Sequence, residues 1–110
     1  MKIKNLTPHN VVLVDDSGNV IATFNPEGTA RCTVSYQEKD AVMINGINVP
    51  IVEETYGDIV GLPAPANDTI YIVSGLVKAA GKLLGRTDLV APTMQVRNEA
   101  GQIVGCKALG

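Results

Sequence analysis

Tryptophan is absent from this chain of 110 residues, phenylalanine occurs once and tyrosine three times; there is one histidine and there are two cysteines. No apolar run approaches the length that crosses a bilayer as a helix, which excludes a membrane-spanning helix. One histidine and two distant cysteines, Cys32 and Cys106, lack the chelating spacing of a zinc site. No D-x-D-x-D loop stands in for it, so neither a metal nor a cofactor is expected. A strong charge of either sign is also missing. The formal net charge is −2 and the pI is near 5.2, which argues against a dedicated duplex-DNA or RNA binder, because such proteins draw their affinity from neutralising phosphates. Met1-Lys2-Ile3-Lys4-Asn5 does not lead into a signal-peptide core. A cytoplasmic location is therefore expected, and the two cysteines read as small core side chains in a reducing compartment, with a disulfide left open.

Hydrophobic residues make up 45% and charged residues 18%, enough to build one domain over residues 1–110. Strand signals dominate. Residues 11–24 read as a hairpin around Asp15-Asp16-Ser17-Gly18-Asn19. Residues 30–36 alternate with period two. Asn45-Gly46 between two apolar runs is the preferred type I′ turn, with Pro50 pointing to an edge or a bulge. Residues 55–68 read as an extended loop with a short strand at 58–60, and 69–73 as a buried strand. Residues 74–84 carry the helical period, with Ser74 as N-cap, Gly85 as terminator and Gly81 at a close approach or an early end. Residues 93–109 form a last hairpin around Asn98-Glu99-Ala100-Gly101. The fold class is α+β, mostly β: an antiparallel sheet or small barrel of about eight short strands with one helix. The turn spacing leaves no room for a βαβ crossover, which argues against a Rossmann-like fold. The expected core is Val12, Val14, Ile21, Val34, Ile44, Val49, Ile70, Ile72, Leu76, Val77, Leu83, Val96, Ile103 and Val104.

Catalytic signals are weak. Glu53 and Glu54 are neighbours on a strand and point to opposite faces. Gly75 to Leu83 fails as a phosphate-binding P-loop, because five residues separate the glycines and Leu83 stands where the metal-binding hydroxyl is needed. Ser35 and Ser74 lack a nucleophile-elbow context. No catalytic residue is assigned. His9 is the sole imidazole, suited to carrying a proton or contacting an anion, or simply to a surface turn. Ser74 stands where a strand runs into a helix N-terminus, a generic anion site whose bland reading is an ordinary cap. Arg86 suits bidentate phosphate recognition, or a local pair with Asp88. Tyr56 lies in a Gly/Pro-rich stretch where its ring is free to stack on a base.

Several segments together carry a resemblance: Asn5-Leu6-Thr7-Pro8-His9, the run from Tyr56-Gly57 to Gly61-Leu62-Pro63-Ala64-Pro65, Tyr71-Ile72-Val73-Ser74, and Arg86-Thr87-Asp88-Leu89 to Pro92. As a set they resemble a family of small bacteriophage and prophage proteins, over nearly the whole chain. The resemblance implies a phage-type role, with inhibition of host defence among the options. Some small phage proteins of that kind act as oligomeric sponges for cyclic or ADP-ribose-derived nucleotide signals. By that analogy the ligand-binding candidates are the polar and aromatic members of the shared motifs: Thr7, His9, Tyr56, Ser74 and Arg86.

The expected function is non-enzymatic sequestration of a phosphorylated, nucleotide-like signal by a homo-oligomer. The alternatives are a protein-interaction or virion-assembly module, which would use a strand edge for β-augmentation, and a small hydrolase or phosphodiesterase using His9.

Overall fold

A computed structural model describes residues 1–110. Nine strands and one helix follow in the order β1 (Lys2–Asn5), β2 (Val11–Val14), β3 (Val20–Phe24), β4 (Arg31–Ile44), β5 (Ile47–Val60), β6 (Thr69–Ile72), α1 (Gly75–Leu83), β7 (Leu89–Val90), β8 (Pro92–Arg97) and β9 (Ile103–Leu109). The mostly-β class with one helix is as expected, and no barrel closes. The strands form three sheets, ordered β1-β6-β7, β3-β2-β9-β8 and β4-β5.

The three expected turns hold, because each is written in local chemistry. Asn45 and Gly46 both have positive φ, as a type I′ turn requires. In the β2–β3 turn, Asp15 Oδ1 accepts the amides of Ser17 and Asn19. These bonds, led by that from Asn19, hold the Asp15 carboxyl below the usual carboxylate range. Asn98 caps the β8–β9 turn in the same way, its Oδ1 accepting from the Gln102 amide. Ser74 Oγ caps α1 by accepting the Val77 amide, and Gly85 follows the helix with φ +82°.

The pairing of these pieces differs from expectation. The sheets are mixed, with β1–β6, β6–β7 and β2–β9 parallel. Contrary to the reading of the turn spacing, β6, α1 and β7 form a βαβ crossover. Residues 73–88 are enough for it, since a parallel return needs only a dozen or so residues when the helix is short. Gly81 sits at the close approach, where an added Cβ would run into Leu89 Cδ1 of β7. The strand expected at 58–60 is present, but residues 55–57 are strand too and not loop, so that 55–60 form the last part of β5, paired with β4.

Two regions result. The body holds two apolar clusters, one with Leu6, Tyr71, Val73 and Val77 at its centre, the other with Val11, Ile72 and Cys106. Both cysteines are free thiols. The other region is an arm. β4 and β5 are 14 residues each and pair only with each other. At about 3.4 Å per residue such a hairpin runs roughly 46 Å, close to the molecule's longest dimension of 52 Å. The radius of gyration is accordingly 17.5 Å, where a compact chain of this size has about 13 Å.

The arm also corrects the expected core. Val14, Ile72 and Val77 are buried, and Val12, Val34, Ile70 and Val96 partly so. Ile44 and Val49 lie open on the arm, and Ile21, Leu76, Leu83, Ile103 and Val104 lie open on the body. Periodicity marks a face as apolar. It does not say that this chain covers that face.

Candidate functional site

The cleft begins with Asn5, the last residue of β1 and fully buried. Its Nδ2 donates to the carbonyls of His9 (2.7 Å) and Phe24 (2.9 Å), and its Oδ1 accepts the Thr7 amide (3.0 Å) and hydroxyl (2.7 Å). One side chain thereby closes the loop 6–10 and ties it to the end of β3. Leu6 anchors the same loop in the core, its amide donating to Ile72 and its carbonyl accepting from Ala30. Because the backbone carbonyl of His9 is held inward, the loop presents His9 at the surface.

Opposite this loop, β6 ends at Val73 and the chain turns into α1. Between them lies a cleft of about 590 Å³, within the range of small-molecule sites. Thr7 and His9 stand on one side, Ser74 and Gly75 on another. Gln95 of β8 and Ile103 to Cys106 of β9 complete the wall, and Val12 and Val73 add apolar surface. No aspartate, glutamate, lysine or arginine lines it.

The polar groups have different capacities. The single Thr7 hydroxyl proton is committed inside the loop, toward Asn5 Oδ1 at 2.7 Å or the His9 carbonyl at 3.0 Å. Thr7 offers a ligand lone pairs only. Ser74 Oγ accepts the Val77 amide at 3.2 Å, which leaves its own O–H free to donate. The amides of Gly75 and Leu76 precede the first intrahelical donor and lie at the positive end of the helix dipole. Burial pushes the Cys106 thiol up, so it stays protonated and is a poor nucleophile.

Arg86 and Tyr56 lie elsewhere. Arg86 forms a fork with Asp88, both contacts at 2.8 Å, and its Nη2 also donates to the Pro63 carbonyl at 3.0 Å. The hydrogen-bonded Asp88 raises the already high Arg86 pKa, and Arg86 in return holds the Asp88 carboxyl below its usual range. Tyr71 OH donates to the next carbonyl, that of Ala64, at 3.3 Å. The R-x-D segment and the G-L-P-x-P loop are thus two halves of one structural clamp at the base of the arm. Tyr56, half-buried, lines a smaller depression of about 340 Å³ between β5 and the end of α1, with Glu54, Leu83 and Leu84.

Of the five candidates, the fold gathers Thr7, His9 and Ser74 into one cleft and places Arg86 and Tyr56 outside it. Asn5 and Gln95 were not singled out from the sequence. Asn5 has a legible signal, since an Asn two residues before a Thr favours an Asx-type turn. Gln95 has none, being one polar residue in a strand. No protein-family model, no curated protein and no solved structure matches this chain.

Proposed function

We propose that this protein binds and sequesters a nucleotide-like ligand carrying a phosphate, in the cleft between the 6–10 loop and the start of α1. The observation that carries the reading is the convergence of His9, Ser74 and Gly75, the first residue of α1, on one cleft of nucleotide size. The Ser74 hydroxyl, the Gly75 amide and the His9 ring supply donors for a phosphate group. Val12, Val73 and Ile103 supply apolar surface for a base or sugar face. Without a lysine or arginine in the lining, the cleft suits one phosphate group better than a polyphosphate. His9 faces no carboxylate across the cleft, and the Cys106 thiol is held protonated, which favours retention over turnover. The resemblance to phage proteins supports a role as an anti-defence sponge for a nucleotide-derived immune signal in the host cytoplasm.

The test is native mass spectrometry after incubation with a pool of cyclic and ADP-ribose-type nucleotides. An unaltered retained nucleotide is expected. His9→Ala and Ser74→Ala should each weaken its retention about tenfold, the effect of losing one strong hydrogen bond. Bare protein across the pool overturns the reading, and a converted product replaces it with a hydrolase centred on His9. The arm favours a second reading, in which the protein is an interaction or assembly module.

A further inference from the structure

The arm changes character halfway along. Alternation and the β4–β5 register put residues of both strands on two faces. One face continues the core: Cys32 and Ile59 pack against the body at the base, and farther out the same face carries Tyr36, Val52 and Met43. The opposite face is polar at the base, with Ser35, Gln37, Glu53 and Thr55. Beyond the bulge at Lys39, where Lys39 and Glu53 pair at 2.9 Å, it carries Val42, Ile44, Ile47, Val49 and Ile51. All five are exposed, Ile47 by 66%. They present on the order of 450 Å² of apolar surface, which is as large as the largest patch on a typical monomer. An isolated two-stranded hairpin is only marginally stable in water. A water-facing strand keeps its outer face polar, as the base of this arm does and its far half does not.

The strand edges discourage partners at this same place. In a two-residue hairpin the Ile44/Ile47 pair is hydrogen-bonded, so the Ala41/Pro50 pair points its amide positions outward. Pro50 has no donor to offer there, and the Ala41 amide is taken by Asp40 Oδ1 at 2.8 Å. These are features that discourage edge-to-edge strand addition. The faces remain.

We infer that the far half of the arm, Asp40–Ile51, is covered on both faces by a second copy of this chain. Two observations select a copy over a foreign partner. The first is area. The five residues expose about 450 Å² on one face and Tyr36, Val52 and Met43 about 400 Å² on the other, so an arm covered on both faces buries close to the roughly 800 Å² per partner of a stable interface. The second is the shortage of core. Only 15 of 110 residues are buried in a chain that is 45% hydrophobic. Small chains with so little core commonly complete it by oligomerising, and the partner always present as the chain is made is another copy. The patch is Val and Ile, in keeping with the more hydrophobic make-up of obligate interfaces. The inference does not depend on the ligand proposed for the cleft.

Native mass spectrometry and hydrogen exchange of the full chain test it. The wild type is expected as an oligomer at micromolar concentration, with the amides of residues 40–51 protected. Ile44→Glu/Ile47→Glu should reduce it to monomer and expose those amides, while protection of Ile72 to Val77 in the body is unchanged. Gln37→Glu, on the same face at the polar base, should keep the oligomer. A monomeric wild type overturns the inference, as does a double variant that keeps the oligomeric mass, or an oligomer whose arm amides exchange freely. A monomeric wild type that still retains a nucleotide would overturn the arm interface alone and leave the cleft reading standing.

Discussion

In the body, Ile72, Val73 and Val77 are wholly enclosed, while Ile44 and Ile47 of the arm stand half or more exposed. The residue types are alike, and so is the local pattern of apolar residues and turns. The difference lies in what covers them. The body stacks parallel and antiparallel strands under a helix, so that segments far apart in sequence close over one another. The far half of the arm has only its own returning strand, which supplies backbone hydrogen bonds but no second layer. Equal strand propensity therefore yields a core in one region and an adhesive surface in the other.

Substitutions should separate the two regions sharply, with equilibrium denaturation as the measure. Ile72→Ala leaves a cavity in the body and should remove about 3–4 kcal/mol. Asn5→Leu is expected to cost about 2–3 kcal/mol, because it leaves the Phe24 and His9 carbonyls without their donor; it should also loosen the 6–10 loop and weaken ligand retention in the cleft. Gly81→Ala sharpens the argument about close packing. Helix propensity alone favours alanine by about 1 kcal/mol, but the new Cβ meets Leu89, so a net loss of about 1–2 kcal/mol is expected. A stabilised variant would show that α1 does not press on β7.

The Arg86–Asp88 clamp is testable by pH. Asp88 has a depressed folded-state pKa, so its contribution is complete above the unfolded value of about 4 and disappears as pH falls through the lower folded value. Asp88→Asn should cost about 1–2 kcal/mol at neutral pH and progressively less below about pH 4. A difference that persists undiminished in acid would mean that the clamp acts by shape and not by charge. The smallest effect belongs to the arm. Ile47→Ala should change the stability of the isolated subunit by less than about 0.5 kcal/mol, and any larger loss should depend on protein concentration, as linkage to assembly demands.

Much of the local structure was legible. Asn45-Gly46, Asp15 to Asn19 and Asn98 to Gly101 are turns because their side chains and φ preferences act over a few residues, and Ser74 and Gly85 bound the helix for the same reason. The candidate site was half legible. His9 and Ser74 converge as their chemistry invites, and Thr7 joins them with its proton already committed. Arg86 has the chemistry of an anion receptor, but the Pro63 carbonyl 23 residues away and the adjacent Asp88 claim it. Nothing in its local spacing discloses that contact.

By itself the sequence determined the turns, the capped helix, the apolar faces and the lack of a metal-binding pattern, since each rests on neighbours within a few residues. Tertiary structure decided the rest. It chose parallel pairing for β1, β6 and β7, made Asn5 the hinge of the cleft, turned Arg86 into a clamp, and left the far half of the arm uncovered. Those outcomes depend on which distant segments meet, and a polar or apolar side chain carries no record of its partner until the chain has closed around it.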